Sequence, residues 1–176
     1  MTTESGPTGV FHIGFCVSDI EQSIRFYRDG IGLVMRHRQI QDNPYTGTLV
    51  GYPGALLHIA QFQLPDQPPP SSGHILELIQ YIRPTGEPSD RQRNRLGAAH
   101  LSFIVTDIHA SIARAVSYGA QPLSEPVEFT AGINRGGHGV YFYDPDGVNL
   151  EFIQPPEKYG SPALSQGAPG QAGVAQ

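Results

Sequence analysis

From residue 11 to residue 17 the chain alternates. Phe11, Ile13, Phe15 and Val17 fall on one side, and His12, Gly14 and Cys16 on the other. That is the period-two signature of a strand with one face against an apolar layer. The apolar side calls for a helix, and one follows at once. Ser18 and Asp19 offer side-chain oxygens to the open N–H groups of a first turn. Ile20, Ile24 and Tyr27 recur at helical spacing, with Gly30 as the expected stop. Three more strands are predicted, over 33–41, 55–63 and 75–82.

The same order then returns. FHIGFCVSDIEQSI at 11–24 is answered by AHLSFIVTDIHASI at 99–112, with His12 and His100, and Asp19 and Asp107, both 88 positions apart. LELIQ at 76–80 is answered by LEFIQ at 150–154, with Glu77 and Glu151 separated by 74. In the second copy Leu101, Phe103 and Val105 oppose His100, Ser102 and Ile104. A helix through Ile108, Ile112 and Val116 is expected to stop at Gly119, with strands over 121–129, 138–144 and 148–154. Self-similarity of this kind marks a duplicated supersecondary unit. The predicted fold is α+β, two tandem βαβββ modules at 9–82 and 98–155. Residues 42–54 read as an insertion without clear period, a candidate flap. Pro68 to Gly73 separates two strands, and Asp144-Pro145-Asp146-Gly147 makes a tight turn. The stretch 83–97, with Arg83, Arg91, Arg93 and Arg95, is a linker. The tail 156–176, rich in Pro, Gly, Ala, Ser and Gln, is expected to be disordered.

Bulk properties narrow the function classes. A net charge of -5 argues against a nucleic-acid partner, which needs a basic face. No apolar run is long enough for a membrane span, and the polar start MTTESGPTG lacks a signal-peptide core. The single cysteine, Cys16, excludes an internal disulfide, so the expected compartment is the cytoplasm. Strand edges left uncovered predict a homodimer, and the expected partner is a small-molecule substrate, not nucleic acid or a membrane.

The chemistry is carried by polar residues in apolar places. Glu77 shares its strand face with Ile75, Ile79 and Tyr81, and Glu151 lies between Leu150 and Phe152. A carboxylate in such company is costly unless paired or bound to a cation. His12 and His100 sit on faces with small neighbours, Gly14 and Ser102, which leaves room for a ligand. Two His and two Glu, one of each from each repeat, form a mixed N/O donor set suited to a first-row divalent ion such as Ni, Co, Mn, Fe or Zn. The other histidines, His37, His58, His74, His109 and His138, lack this symmetry and read as surface or structural residues.

On HIGFCVSDIEQSIRFYRDGIGL, AHLSFIVTDI and VYFYDPDGVNLEFIQP the chain resembles the vicinal oxygen chelate superfamily, the group of glyoxalase I, methylmalonyl-CoA epimerase, fosfomycin-resistance transferases and extradiol dioxygenases. The resemblance spans about residues 10–155. It implies a cupped, incompletely closed mixed β-barrel, with His12, Glu77, His100 and Glu151 as ligands to one divalent metal ion. Bacterial-type glyoxalase I shares all four ligands. Its glutathione-recognising Arg is replaced here by Cys16, however, and its Asn by Tyr81. Methylmalonyl-CoA epimerases usually carry Gln in place of Glu77, and the ring-cleaving dioxygenases use one Glu fewer. NPYTGTLVGYPGALLHIAQFQLP, ILELIQY and TAGINRGGHGVYFYDPDG resemble epimerase-like members of aminocyclitol pathways, which act on ketone polyols of the valiolone type.

The resemblance therefore implies an epimerase or isomerase that enolises its substrate next to a carbonyl, the enediolate stabilised by a metal acting as Lewis acid, with Glu77 and Glu151 as acid and base. Tyr45, Tyr52, His58, Asn134 and Arg135 are the candidate substrate contacts. Rival readings are a glyoxalase-type lyase or CoA-dependent isomerase, an iron-dependent dioxygenase, and a non-enzymatic drug binder.

Overall fold

The computed structural model describes residues 6–7, 9–66, 73–90 and 92–157. The proline-rich 68–72, Arg91 and the tail beyond Glu157 lie outside the described residues. The first repeat contains β1 (Ile13–Cys16), α1 (Ile20–Arg25) continuing as a π-helical segment Phe26–Ile31, β2 (Val34–Gln41), α2 (Pro44–Val50), β3 (Leu56–Gln63) and β4 (Leu76–Arg83). The second contains β5 (Leu101–Ile104), α3 (Ile108–Ser117), β6 (Gln121–Pro122), β7 (Val127–Glu128), β8 (His138–Tyr143) and β9 (Asn149–Gln154). Each builds one mixed sheet, ordered β1-β4-β3-β2 and β5-β9-β8-β6, with β7 also on β8. In both sheets the opening strand runs parallel to the last. Neither sheet closes, and the result is a mixed α+β fold of tandem βαβββ modules. No helix among the described residues is long and apolar enough to cross a membrane.

The duplicated motifs have local physical reasons. Asp19 and Asp107 cap α1 and α3, accepting from Glu21 and Gln22 N–H and from Ala110 N–H. The Gln that ends each LExIQ motif reaches the same helix ends. Gln80 Oε1 accepts from Ile20 N at 3.2 Å, and Gln154 Oε1 from Ile108 N at 2.9 Å. Each last strand is thereby tied to the helix that opens its own module.

Three expectations are corrected. The first helix does not stop at Gly30. It runs on to Gly32, at φ 97, while Gly30 sits so close to Tyr118 that a Cβ there would come within 3.0 Å of it. The stretch 42–54 is not aperiodic loop throughout. Asn43 caps it, Pro44 opens it and Gly51 at φ 76 ends the short helix α2, whose buried residues are only Thr46 and Gly47, too few to imprint a period. The strand at 121–129 breaks into β6 and β7, because Pro122 and Pro126 cannot donate to a ladder.

The two modules share one core. Leu76 and Leu78 of β4, Leu150 and Phe152 of β9, and the inward faces of α1 and α3 belong to a single buried cluster. Arg114 of α3 donates to the carbonyls of Gly30 and Ile31, both at 2.9 Å, closing the open end of the first helix. Ser18 binds the carboxylate of Asp146, and Tyr27 Oη donates to Asp144 Oδ2 at 2.9 Å. Both Tyr27 and Asp144 are fully buried. Burial holds the Tyr27 phenol well above its ordinary range, and burial also raises Asp144, against the hydrogen bonds it receives from Val148 N–H and Tyr27. Tyr27→Phe strands that carboxylate oxygen without its donor. The expected loss is about 1.5–3 kcal/mol in urea unfolding, with the slope against denaturant unchanged.

Candidate metal centre

Alternation along β4 and β9 sends Leu76, Leu78, Leu150 and Phe152 into the shared core and turns Glu77 and Glu151 to the opposite faces. The parallel register sets Gly14 beside Glu77 and Ser102 beside Glu151. The histidines lie two residues earlier on those faces. His12 Nε2 stands 3.8 Å from Glu77 Oε1, and His100 Nε2 3.5 Å from Glu151 Oε2. Both carboxylates are nearly buried, and His12 and His100 are more open. Structural duplication has become chemical duplication: one imidazole and one carboxylate, side by side, twice.

The donor sets fit a divalent metal. An ion about 2.0–2.2 Å from a His nitrogen and a carboxylate oxygen can span separations of this size. Among the described residues, no Lys or Arg is paired with either Glu instead. Gln61, the cross-strand partner of Glu77, donates its amide to Glu77 Oε2 at 2.7 Å. Tyr141 holds the corresponding place opposite Glu151. Its phenol is pushed up, first by burial and then by the Glu151 charge, so it stays protonated; it hydrogen-bonds Glu151, and its oxygen is 3.4 Å from His100 Nε2. The amide in one half and the phenol in the other make the pair unequal in an otherwise repeated frame.

The four residues do not meet within one chain. Among the described residues, the one group of three or more ligating atoms within 4.8 Å of one another is His12, His74 and Glu77. The reason is the packing. The modules join through their helix-bearing sides, so the Glu-bearing faces look away from the shared core, and each carries one His–Glu pair. His74, read from the sequence as structural, is buried and sits at the first of them. Its signal was weak because the separation of 74 that links Glu77 to Glu151 carries His74 onto Val148.

The remaining candidates scatter. Tyr52 makes an edge contact with Tyr81 at 5.9 Å, on the Glu77 side of β4. Tyr45 is exposed on α2. His58 is the cross-strand partner of Gln80 and so lies on the helix-bearing face, opposite Glu77. Asn134 and Arg135 belong to the turn between β7 and β8, where Arg135 N–H donates to Gly132 O and Asn134 O accepts from Gly137. Cys16 is exposed on the His12 face, its thiol raised by desolvation. Not foreseen is a recess beside His100, lined by Arg93, Ala98, Ala99, Tyr141 and Asn149. There the Arg93 guanidinium lies 5.8 Å from the Tyr141 ring centre and 5.9 Å from that of Tyr143.

Known proteins match this architecture. A 2-epi-5-epi-valiolone epimerase from an Actinomyces species is 28% identical over 157 residues, covering 86% of this chain and 81% of that protein. A lactoylglutathione lyase of Haemophilus influenzae is 27% identical over 150 residues, covering 82% and 91%. The crystal structure of a glyoxalase family protein from Bacillus cereus superposes with a TM-score of 0.75 at 21% identity, over 89% of this chain and 99% of that one. A fosfomycin resistance protein of Listeria monocytogenes, solved with Mn(II) and a dihydroxypropylphosphonic acid, reaches a TM-score of 0.54 at 15% identity, over 84% and 92%. Residues 9–152 match the family as a whole, and the chain belongs to the Glyoxalase/Bleomycin resistance protein/Dioxygenase superfamily.

Proposed function

We propose that this chain is a divalent-metal-dependent epimerase that moves a proton at the carbon next to a ketone, on a cyclic ketone polyol of the valiolone class. The observation that carries the reading is the repeated His–Glu pair, His12 with Glu77 and His100 with Glu151, with no Lys or Arg paired to either carboxylate among the described residues. Supporting it is the likeness to a valiolone epimerase over most of both chains. The metal site is assembled across a homodimer. β1 and β5 are edge strands, each paired on one side only. Phe11, Ile13 and Ile104, on or beside them, are exposed apolar residues. Setting β1 beside the partner's copy of β5 covers both edges and brings unlike half-sites together.

His12, Glu77, His100 and Glu151 would hold the ion, which when bound supplies Lewis-acid polarisation of the carbonyl oxygen. The protein's own part is proton movement. One glutamate takes the proton from the carbon beside the carbonyl, and the other returns a proton to the opposite face, inverting that centre. Gln61 and Tyr141 aim the two carboxylates by hydrogen bonds.

The test is elemental analysis together with deuterium wash-in from D₂O over a panel of cyclic α-hydroxy ketones that includes 2-epi-5-epi-valiolone. Metal-loaded protein is expected to place solvent deuterium on the substrate carbon, and chelator-stripped protein to place none. Absence of wash-in across the panel with metal bound would end the reading. The lyase likeness supports a second reading. Cys16 and Tyr81 stand in place of its glutathione contacts, and turnover of methylglyoxal hemithioacetal would decide for it.

A further inference from the structure

The histidine beside the first half-site has geometry that the repeat does not explain. His74 is 4% exposed. Its Nε2 lies 2.9 Å from His12 Nδ1, and the two rings stack with centroids 4.8 Å apart at 29°. Phe11 closes edge-on against both rings, at 5.5 and 5.6 Å. The nitrogen of His12 that faces Glu77 is the other one, Nε2.

A hydrogen bond between two neutral imidazoles holds one proton, and there are two places for it. If His74 Nε2 carries it, His12 must keep its own proton on Nε2, and the nitrogen facing Glu77 has no lone pair to give. If His12 Nδ1 carries it, His74 accepts and His12 Nε2 is left open toward Glu77. Only the second arrangement yields a ligand. We propose that His74 is a positioning residue whose Nε2 accepts the His12 Nδ1 proton, fixing the tautomer and ring orientation in which His12 Nε2 binds the metal. The proposal rests on the metal reading above. It also makes the half-sites unequal. The second has Val148 in the place of His74, and the Tyr141 hydroxyl approaches His100 on Nε2, the nitrogen that also faces Glu151. His74 Nε2 is also 3.7 Å from Glu77 Oε2, so direct ligation is the competing role. Its close approach to His12 Nδ1 commits the lone pair to that proton instead.

Two variants separate the roles. His74→Phe keeps a buried ring against His12 and removes the acceptor, and His74→Gln restores a carbonyl acceptor. In metal-free protein, long-range ¹H–¹⁵N correlation of the imidazoles is expected to show the Nδ1–H form of His12 in the wild type and a shift toward Nε2–H in His74→Phe. Co(II) titration is expected to show affinity about 10–100-fold weaker in His74→Phe, partly restored in His74→Gln. The visible Co(II) spectrum should keep its band intensities, since no ligand is lost. The proposal is overturned if His74→Phe leaves the His12 tautomer and the affinity unchanged, or if its Co(II) bands change as they do for His12→Ala, which would make His74 a ligand. Should wild-type protein bind no Co(II), the metal reading fails, and the nitrogen spectrum of the metal-free protein still decides for or against His74.

Discussion

Glu77→Gln and Glu151→Gln should each lower epimerisation by about 10²–10⁴-fold at saturating metal, the usual contribution of a positioned acid or base. The informative result is the pattern of isotope exchange. With two bases on opposite faces, the carboxylate that deprotonates one epimer is the acid that serves the other. Removing one therefore blocks deuterium entry into the epimer it deprotonates. The other epimer still exchanges, because the remaining glutamate takes its proton and returns deuterium to the same face, without inversion. The two variants should show mirror-image patterns, and these assign Glu77 and Glu151 to their faces. Both glutamates are held in place, Glu77 by Gln61 at 2.7 Å and Glu151 by Tyr141, and among the described residues neither is paired with a Lys or Arg. A single base serving both faces would give one variant that loses all exchange and one that loses none. Full turnover in both, with metal bound, would remove the carboxylates from the mechanism altogether.

What the sequence made legible was periodic. Leu76-Glu77-Leu78 and Leu150-Glu151-Phe152 each set a carboxylate opposite two buried apolar neighbours, and the structure separates those faces as alternation requires. The helix caps at Asp19 and Asp107 were legible because capping is local. Where a residue acts alone in one copy, periodicity has nothing to compare. His74 has Val148 as its counterpart, and Arg93 sits in a linker without any. Gln80 and Gln154 did repeat, but a Gln at a strand end reads as solvated until the helix terminus it reaches is known. The largest gap is one of assembly. Alternation tells which side of a strand a side chain takes. It does not tell which side of a module meets the other module. Here the helix-bearing sides meet, through Arg114, Tyr27 and the Asp144–Gly147 turn. The four expected ligands are consequently divided between two outward faces.

That division makes the sharpest prediction. His12→Ala and His100→Ala should each be inactive as homodimers, since every site then lacks an imidazole. Mixed and allowed to exchange subunits, they should recover activity. In a mixed dimer one site combines both damaged halves, while the other combines the intact first half of one chain with the intact second half of its partner. Random exchange of equal amounts makes about half the dimers mixed, each with one working site of two, so about one quarter of wild-type activity is expected. Metal content should recover in the same proportion. A site assembled within one chain cannot behave this way. Every chain in the mixture carries one damaged ligand, and no exchange of partners restores it. Recovery near a quarter would place the active centre between subunits. An inactive mixture, with subunit exchange verified by mass-tagged chains, would rule out a metal centre shared between subunits.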